Sequence, residues 1–191
     1  MHIVKLGGSL YHTTELKTWL IRLAEQALQE PVVIVPGGGP FADMVRQAQI
    51  QHQFDDAHAH HMALLAMSQF GLLLHSLQPA AITIHTVAQV PVHPQLAIWL
   101  PDDQLLKVNA LQQNWQVTSD SLALWFAQKL PRSRLSLIKR NMLDSGDIQV
   151  LSEQGIIDQG FNSLYQQQPV ETQLIHYQRF NDFPDNGIAT G

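Results

Sequence analysis

Two glycine clusters carry the first sign of chemistry in this chain. Lys5-Leu6-Gly7-Gly8-Ser9 and Pro36-Gly37-Gly38-Gly39-Pro40 each follow a short apolar run and precede a segment with helical spacing. Without a Cβ the backbone can come close to a ligand and turn its N–H groups inward. The N-terminus of the following helix adds partial positive charge, so each cluster is a potential phosphate cradle. Lys5 places a full positive charge beside the first. Taken singly, either cluster reads better as a tight turn beside a solvated lysine; two of them in one sheet shift the balance toward a phosphate site. Neither contains GxxxxGK[ST] or GxGxxG, which disfavours a P-loop NTPase or a dinucleotide enzyme.

Other residues invite similar weighing. Asp120 stands at the start of an apolar helical segment, where a carboxylate is favoured by the macrodipole whether or not it has a further role. His58, His60 and His61 lie close to Asp55 and Asp56, but the spacing is not HExxH and no second ligand motif lies nearby. They read as a helix-start cluster, and no protein metal site is expected.

The elements that must position these residues follow from apolar spacing. A strand over His2 to Leu6, a helix through Leu16, Leu20, Leu23, Ala24, Ala27 and Leu28 with Thr13 or Thr14 as its N-cap, and a buried strand over Val32 to Val35 open the chain. A second helix should bury Phe41, Met44, Val45 and Ala48. A third runs from about Asp56 to Ser76, with Met62, Leu65, Ala66, Phe70, Leu73, Leu74 and Leu77 as core or dimer contacts. Strands are expected over Ala80 to His85, Leu96 to Leu100, Leu135 to Ile138 and Thr172 to His176, with an all-round apolar helix after Asp120. Alternating strands and helices make a largely parallel α/β sheet.

Composition sets the outer bounds. The chain has 191 residues, 45% of them hydrophobic and 14% charged, which suits a single domain over residues 1–191. With no Cys, disulfides, thiolate metal sites and Cys nucleophiles are excluded. A net charge of −5 without basic runs argues against nucleic acid or an anionic membrane as partner. There is no signal-type apolar core and no apolar stretch long enough to span a bilayer, so a cytoplasmic protein is expected.

A strand-borne lysine followed by Gly7-Gly8-Ser9, then Gly37-Gly38-Gly39-Pro40 after the second strand, resembles the amino acid kinase family, the fold of acetylglutamate, carbamate, uridylate and isopentenyl phosphate kinases. The resemblance continues at Val117-Thr118-Ser119-Asp120-Ser121-Leu122-Ala123, similar to the family segment whose buried Asp organises the catalytic lysines. It implies a three-layer αβα sandwich with a mainly parallel sheet, a kinase using ATP and Mg²⁺ on a small metabolite, and a homodimer or higher homo-oligomer. It also implies catalytic roles for Lys5 and Asp120, and phosphate binding by Gly7, Gly8, Ser9, Gly37, Gly38 and Gly39.

The segment from Asp56 to Gly71 is similar to a D…AHxMAxxAMxQ(F/Y)G pattern of a small archaeal-type branch. That branch includes the kinase that converts aminomethyl-furanmethyl phosphate to the diphosphate in methanofuran synthesis. The likeness aligns His60 with an acceptor-binding histidine, and Gly155-Ile156-Ile157-Asp158 extends it. One departure stands out. Where many members carry a TDVDG-type nucleotide loop, this chain reads Lys139-Arg140-Asn141-Met142-Leu143-Asp144-Ser145-Gly146. Either Lys139 or Arg140 supplies the second phosphate-binding cation, with Gly146 also on the nucleotide, or nucleotide binding is altered or lost. Two alternatives therefore stand beside the furan phosphate kinase: a non-catalytic nucleotide- or phosphometabolite-binding member of the fold, and a kinase for another acceptor such as isopentenyl phosphate or a nucleotide. The terminal residues 186–191 resemble the GT-containing strand with which the family often ends.

Overall fold

Residues 1–109, 111–142 and 145–190 are described in the computed structural model. Leu143 and Asp144, which belong to the departing loop, and Gly191 lie outside the described residues. Among the described residues the strands form one sheet of seven, with the continuous apolar runs at its centre: β1 (His2–Leu6), β2 (Val32–Pro36), β3 (Ile82–Ile84), β4 (Leu96–Trp99), β5 (Arg134–Lys139), β6 (Glu171–His176) and β7 (Ile188–Thr190). Their order is β3-β4-β2-β1-β5-β6-β7, and only β6 and β7 pair antiparallel. All residues of β1 and β2 are buried, which is why their sequences show no polar alternation.

The register fixes where chemistry can occur. Leu6 sits opposite Pro36 on one side and Ile138 on the other, so both glycine clusters and Lys139 leave neighbouring strands at the same carboxyl edge of the sheet. In open α/β sheets that edge is where ligands bind.

Among the described residues six α-helices complete the layers: α1 (Glu15–Gln26), α2 (Gly39–His52), α3 (Asp56–Leu77), α4 (Ser119–Gln128), α5 (Ile148–Glu153) and α6 (Gln159–Gln167). On one face of the sheet Val33, Ala97 and Leu135 pack with Leu122, Phe126, Leu151 and Phe161 from α4, α5 and α6. On the other, Val4, Ile34 and Ile98 pack with Trp19 and Leu23 of α1 and with Phe183. The α3 helix serves both, giving Leu64 and Met67 to the first cluster and Phe70 and Leu74 to the second. Helices on both faces of the sheet give the expected three layers.

Several expectations need correction. Met44 is 62% exposed, and Val45 is the one residue of α2 that is buried. This helix packs along α3 and the turn at Gly8–His12 rather than flat on the sheet, so its apolar stripe is narrower than the spacing suggests. Met62, Leu65 and Leu77 of α3 are exposed, so of the two places weighed for them the core is the one the structure removes. The strand expected over Ala80 to His85 shortens to β3, because Ala80 and Ala81 stay in the turn that follows α3. After β5 the chain also forms α5, α6 and β7, which periodicity did not reveal. No helix among the described residues is long and apolar enough to cross a membrane.

Candidate phosphoryl-transfer site

The two glycine loops touch. A Cβ on Gly8 would lie 2.2 Å from the Gly39 nitrogen, and one on Gly37 would lie 2.3 Å from the Gly8 nitrogen, so neither position accepts a side chain. Gly39 has φ +55°, a left-handed conformation that favours glycine, and it starts α2 with Pro40 in the first turn. The glycines divide into two roles. The Gly7 amide donates to Ile138 O and the Gly37 amide to Leu6 O, extending the sheet by one step. Gly8, Ser9, Gly38 and Gly39 instead line a cavity of about 270 Å³. The first amides of α2 have no partner within their own helix, and the positive end of the macrodipole there favours an anion.

Beside these loops a carboxylate lies between two lysines. Asp120, in the first turn of α4, places Oδ2 2.5 Å from Lys139 Nζ at the end of β5 and Oδ1 2.9 Å from Lys5 Nζ on β1. The contact with Lys139 is an aligned hydrogen bond, whereas Lys5 makes an ion pair off the hydrogen-bond line. All three side chains are nearly inaccessible to solvent. Burial alone would raise the Asp120 carboxyl, but the charges of Lys139 and Lys5 outweigh it and hold the group at about 2. Of the two basic residues at the end of β5, Lys139 is the one the structure brings to Asp120. Arg140 is exposed and lines neither cavity of the site.

A second carboxylate, Asp158, which the sequence offered only as the end of a branch-like stretch and with no role at the site, holds this arrangement in place. Asp158 accepts from the Thr118 amide at 2.9 Å, the Thr118 hydroxyl at 2.8 Å, the Ser121 amide at 3.0 Å and the Phe161 amide at 3.1 Å, and from the Ser121 hydroxyl. It caps α6 and at the same time grips the residues on either side of Asp120. Burial, followed by the nearby Asp120 charge, raises its carboxyl above the ordinary value. The detectable signal was an N-cap pattern, Asp before Phe161 and Leu164 at helical spacing. Asp158→Asn keeps the volume but turns an acceptor into a donor facing amides and hydroxyls. It is expected to lower stability by about 2–3 kcal/mol, read as a shifted denaturant midpoint, and to lower turnover through a misplaced Asp120.

The remaining expected residues are placed as follows. His60, on the first turns of α3, is 5% exposed and lines the glycine-loop cavity, and burial pushes its imidazole below the ordinary value. His58 is instead a solvent-facing partner of Asp55, the residue that caps α3. A Cβ on Gly146 would lie 2.2 Å from Ala189 O, so that glycine is required by the passage of β7, and it lines neither cavity. A second cavity, of about 570 Å³, is lined by Asp120, Lys139, Asp158 and the turn Gly155–Ile157, and shares Arg46, Trp115 and Thr118 with the first.

The model of the amino acid kinase family matches residues 1–163. The chain belongs to the amino acid kinase family. It is 33% identical over 134 residues to the (5-(aminomethyl)furan-3-yl)methyl phosphate kinase of Methanocaldococcus jannaschii, a match covering 68% of this chain and 61% of that protein. Among solved amino acid kinase folds, uridylate kinase from Archaeoglobus fulgidus superposes with a TM-score of 0.74 at 14% identity, over 99% of this chain and 97% of that one. UMP kinase from Bacillus anthracis gives 0.65 at 14% identity, over 93% and 87%. At such identities these structures speak for the shared fold alone, and the chain matches less than two thirds of the length of the furan phosphate kinase.

Proposed function

We propose that this protein transfers the γ-phosphoryl group of ATP to a phosphate monoester, producing a diphosphate and ADP. The acceptor on this reading is aminomethyl-furanmethyl phosphate, a precursor in methanofuran synthesis. The observation that carries it is the small cavity walled by both glycine loops next to a second cavity lined by Lys139 and the buried Asp120, the carboxylate with which Lys5 is also paired. An oxygen of the acceptor phosphate, already ionised at neutral pH, attacks the γ-phosphorus. The bond from that phosphorus to the β,γ-bridging oxygen breaks and its electron pair leaves with ADP. No general base is required, so catalysis is alignment plus charge neutralisation by Lys5, Lys139 and the Gly8 and Gly38–Gly39 amides. Asp120 holds both lysines in place. The larger cavity, with Lys139 in its wall, suits the donor nucleotide.

Asp120 is committed to two lysines and Asp158 to protein donors, so neither presents a free carboxylate to a cation. Mg²⁺ would accordingly be held by the nucleotide phosphates and water, where it neutralises phosphate charge. The placement of Lys139 on Asp120 also favours the catalytic reading over a non-catalytic binding protein. Met62, Leu65 and Leu72 form an exposed apolar stripe along α3, which supports the homo-oligomer expected for the family.

Burial pushes the Lys139 ammonium down to about 8 against the pull of Asp120, with the like charge of Lys5 adding to the decrease. The charged form is present below that value and is lost as pH rises through it. The pH profile of kcat/KM, which reports the free enzyme, should therefore fall on the alkaline side near pH 8. Lys139→Arg keeps its charge and should move that limb to higher pH. The function itself is tested by incubating protein, ATP and Mg²⁺ with aminomethyl-furanmethyl phosphate, isopentenyl phosphate and UMP in parallel, and following products by mass. Diphosphate from the furan acceptor is expected; product only from another acceptor reassigns the substrate, and nucleotide binding without any product overturns the kinase reading.

A further inference from the structure

We propose that Asp43 selects acceptors that carry a cationic amine at the end opposite the phosphate. This assignment rests on reading the glycine-loop cavity as the acceptor site.

The first turns of α2 line one wall of that cavity, through Gly39, Pro40, Ala42, Asp43 and Arg46. Among its described lining residues Asp43 is the only carboxylate. Asp43 makes no ion pair with any described residue, although Arg46 is three positions on, where a helix ordinarily brings opposite charges together. Arg46 is diverted. Its guanidinium lies 3.8 Å from the centre of the Trp115 ring, and Trp115 is fixed by its indole N–H, which donates to Gln49 Oε1 at 2.6 Å. His60, kept neutral by burial, adds no compensating positive charge at neutral pH. The Asp43 carboxylate thus has no ion-pair partner among the described residues, in a cavity that the Arg46 guanidinium also lines.

Position along the helix defines what this charge can meet. A phosphate seated at the start of α2 lies about 6 Å along the axis from Asp43, at 1.5 Å of rise per residue. That distance suits a single small ring between a phosphate and an ammonium group. Ala63, Leu64, Met67, Val117 and Leu122 give the cavity an apolar part, beside the polar His60, Thr118 and Ser119, and that part accommodates the flat ring while the two charged ends are read separately. Isopentenyl phosphate and UMP lack the ammonium group. A short zwitterion with a ring at its centre satisfies all three features of the cavity.

The experiment compares aminomethyl-furanmethyl phosphate with its analogue bearing methyl in place of aminomethyl, in the wild-type protein and in Asp43→Asn. Asp43 is exposed and unpaired, so the variant should fold normally, as a melting curve will show. The preference of the wild type for the amine, as a ratio of kcat/KM values, should fall about 10- to 100-fold in Asp43→Asn, the range of a charge-assisted hydrogen bond. Calorimetric titration of both compounds without nucleotide reads the same preference in the absence of turnover. Product formation with a preference that Asp43→Asn leaves intact overturns the role of Asp43 and leaves the kinase reading standing. An amine preference in binding that Asp43→Asn removes, without any diphosphate formed, overturns the kinase reading and leaves the role of Asp43 standing. An absence of binding and product for both compounds overturns both.

Discussion

Lys5→Ala is expected to lower kcat about a thousandfold, the scale of removing a preorganised charge from the transferring phosphoryl group, while the fold survives. Lys5 lies on the central strand with its ammonium 2.9 Å from Asp120, but the carboxylate keeps its aligned partner Lys139 at 2.5 Å. No buried charge is stranded, so the cost is mainly lost packing of the lysine stem. That is about 1–2 kcal/mol, or a few degrees in melting temperature for a chain of this size. A second readout separates this role from a merely structural one. The positive charge of Lys5 helps depress Lys139, so the residual activity of Lys5→Ala should keep its alkaline limb to a higher pH than wild type. Near-wild-type turnover, or an unmoved limb, would remove Lys5 from the mechanism.

What the sequence revealed of this site was the part carried by local chemistry. The glycine clusters are legible because a Cβ is excluded where two loops meet, at Gly8 and Gly37, and composition records that exclusion directly. Lys5 and Asp120 stand next to recognisable turn and helix-start patterns. The central strands are legible because burial on both faces requires unbroken apolar runs. What escaped was whatever depends on distant segments meeting. Asp158 contacts residues about 40 positions away, and as a residue type it looks like any helix cap. Arg46 on Trp115, and hence the unpaired charge of Asp43, depends on a loop before α4 folding back over α2. Gly146 looked like part of a nucleotide loop because glycine after a strand suits a ligand; it serves the close passage of β7, a strand of three residues too short to show a period.

Asp120→Asn should be more damaging than either lysine change. The substitution leaves two buried ammonium groups near each other with only a neutral amide between them. Removing one partner of a buried charge pair typically costs about 3–5 kcal/mol. Here the loss has a limit, because Lys139 already sits at about 8 and can shed its proton once Asp120 no longer holds it. The destabilisation should therefore be largest just below neutral pH and should shrink as the pH is raised toward 9, whereas simple loss of packing would give a gap that does not change with pH. At the acid end the sign changes. The native Asp120 pKa of about 2 lies below its ordinary 3.8, so its contribution to stability is present above 3.8 and is lost as the pH falls toward 2. Across that acid window the wild type should lose stability toward the variant, and the two denaturation midpoints should converge. Turnover of Asp120→Asn should fall by about a thousandfold or more at every pH, since neither lysine is then directed at the phosphates. Denaturant midpoints measured from pH 2 to pH 9 check this; a constant gap between wild type and variant would mean that Asp120 acts as a packing residue and that its two ion pairs carry little of the site's energy.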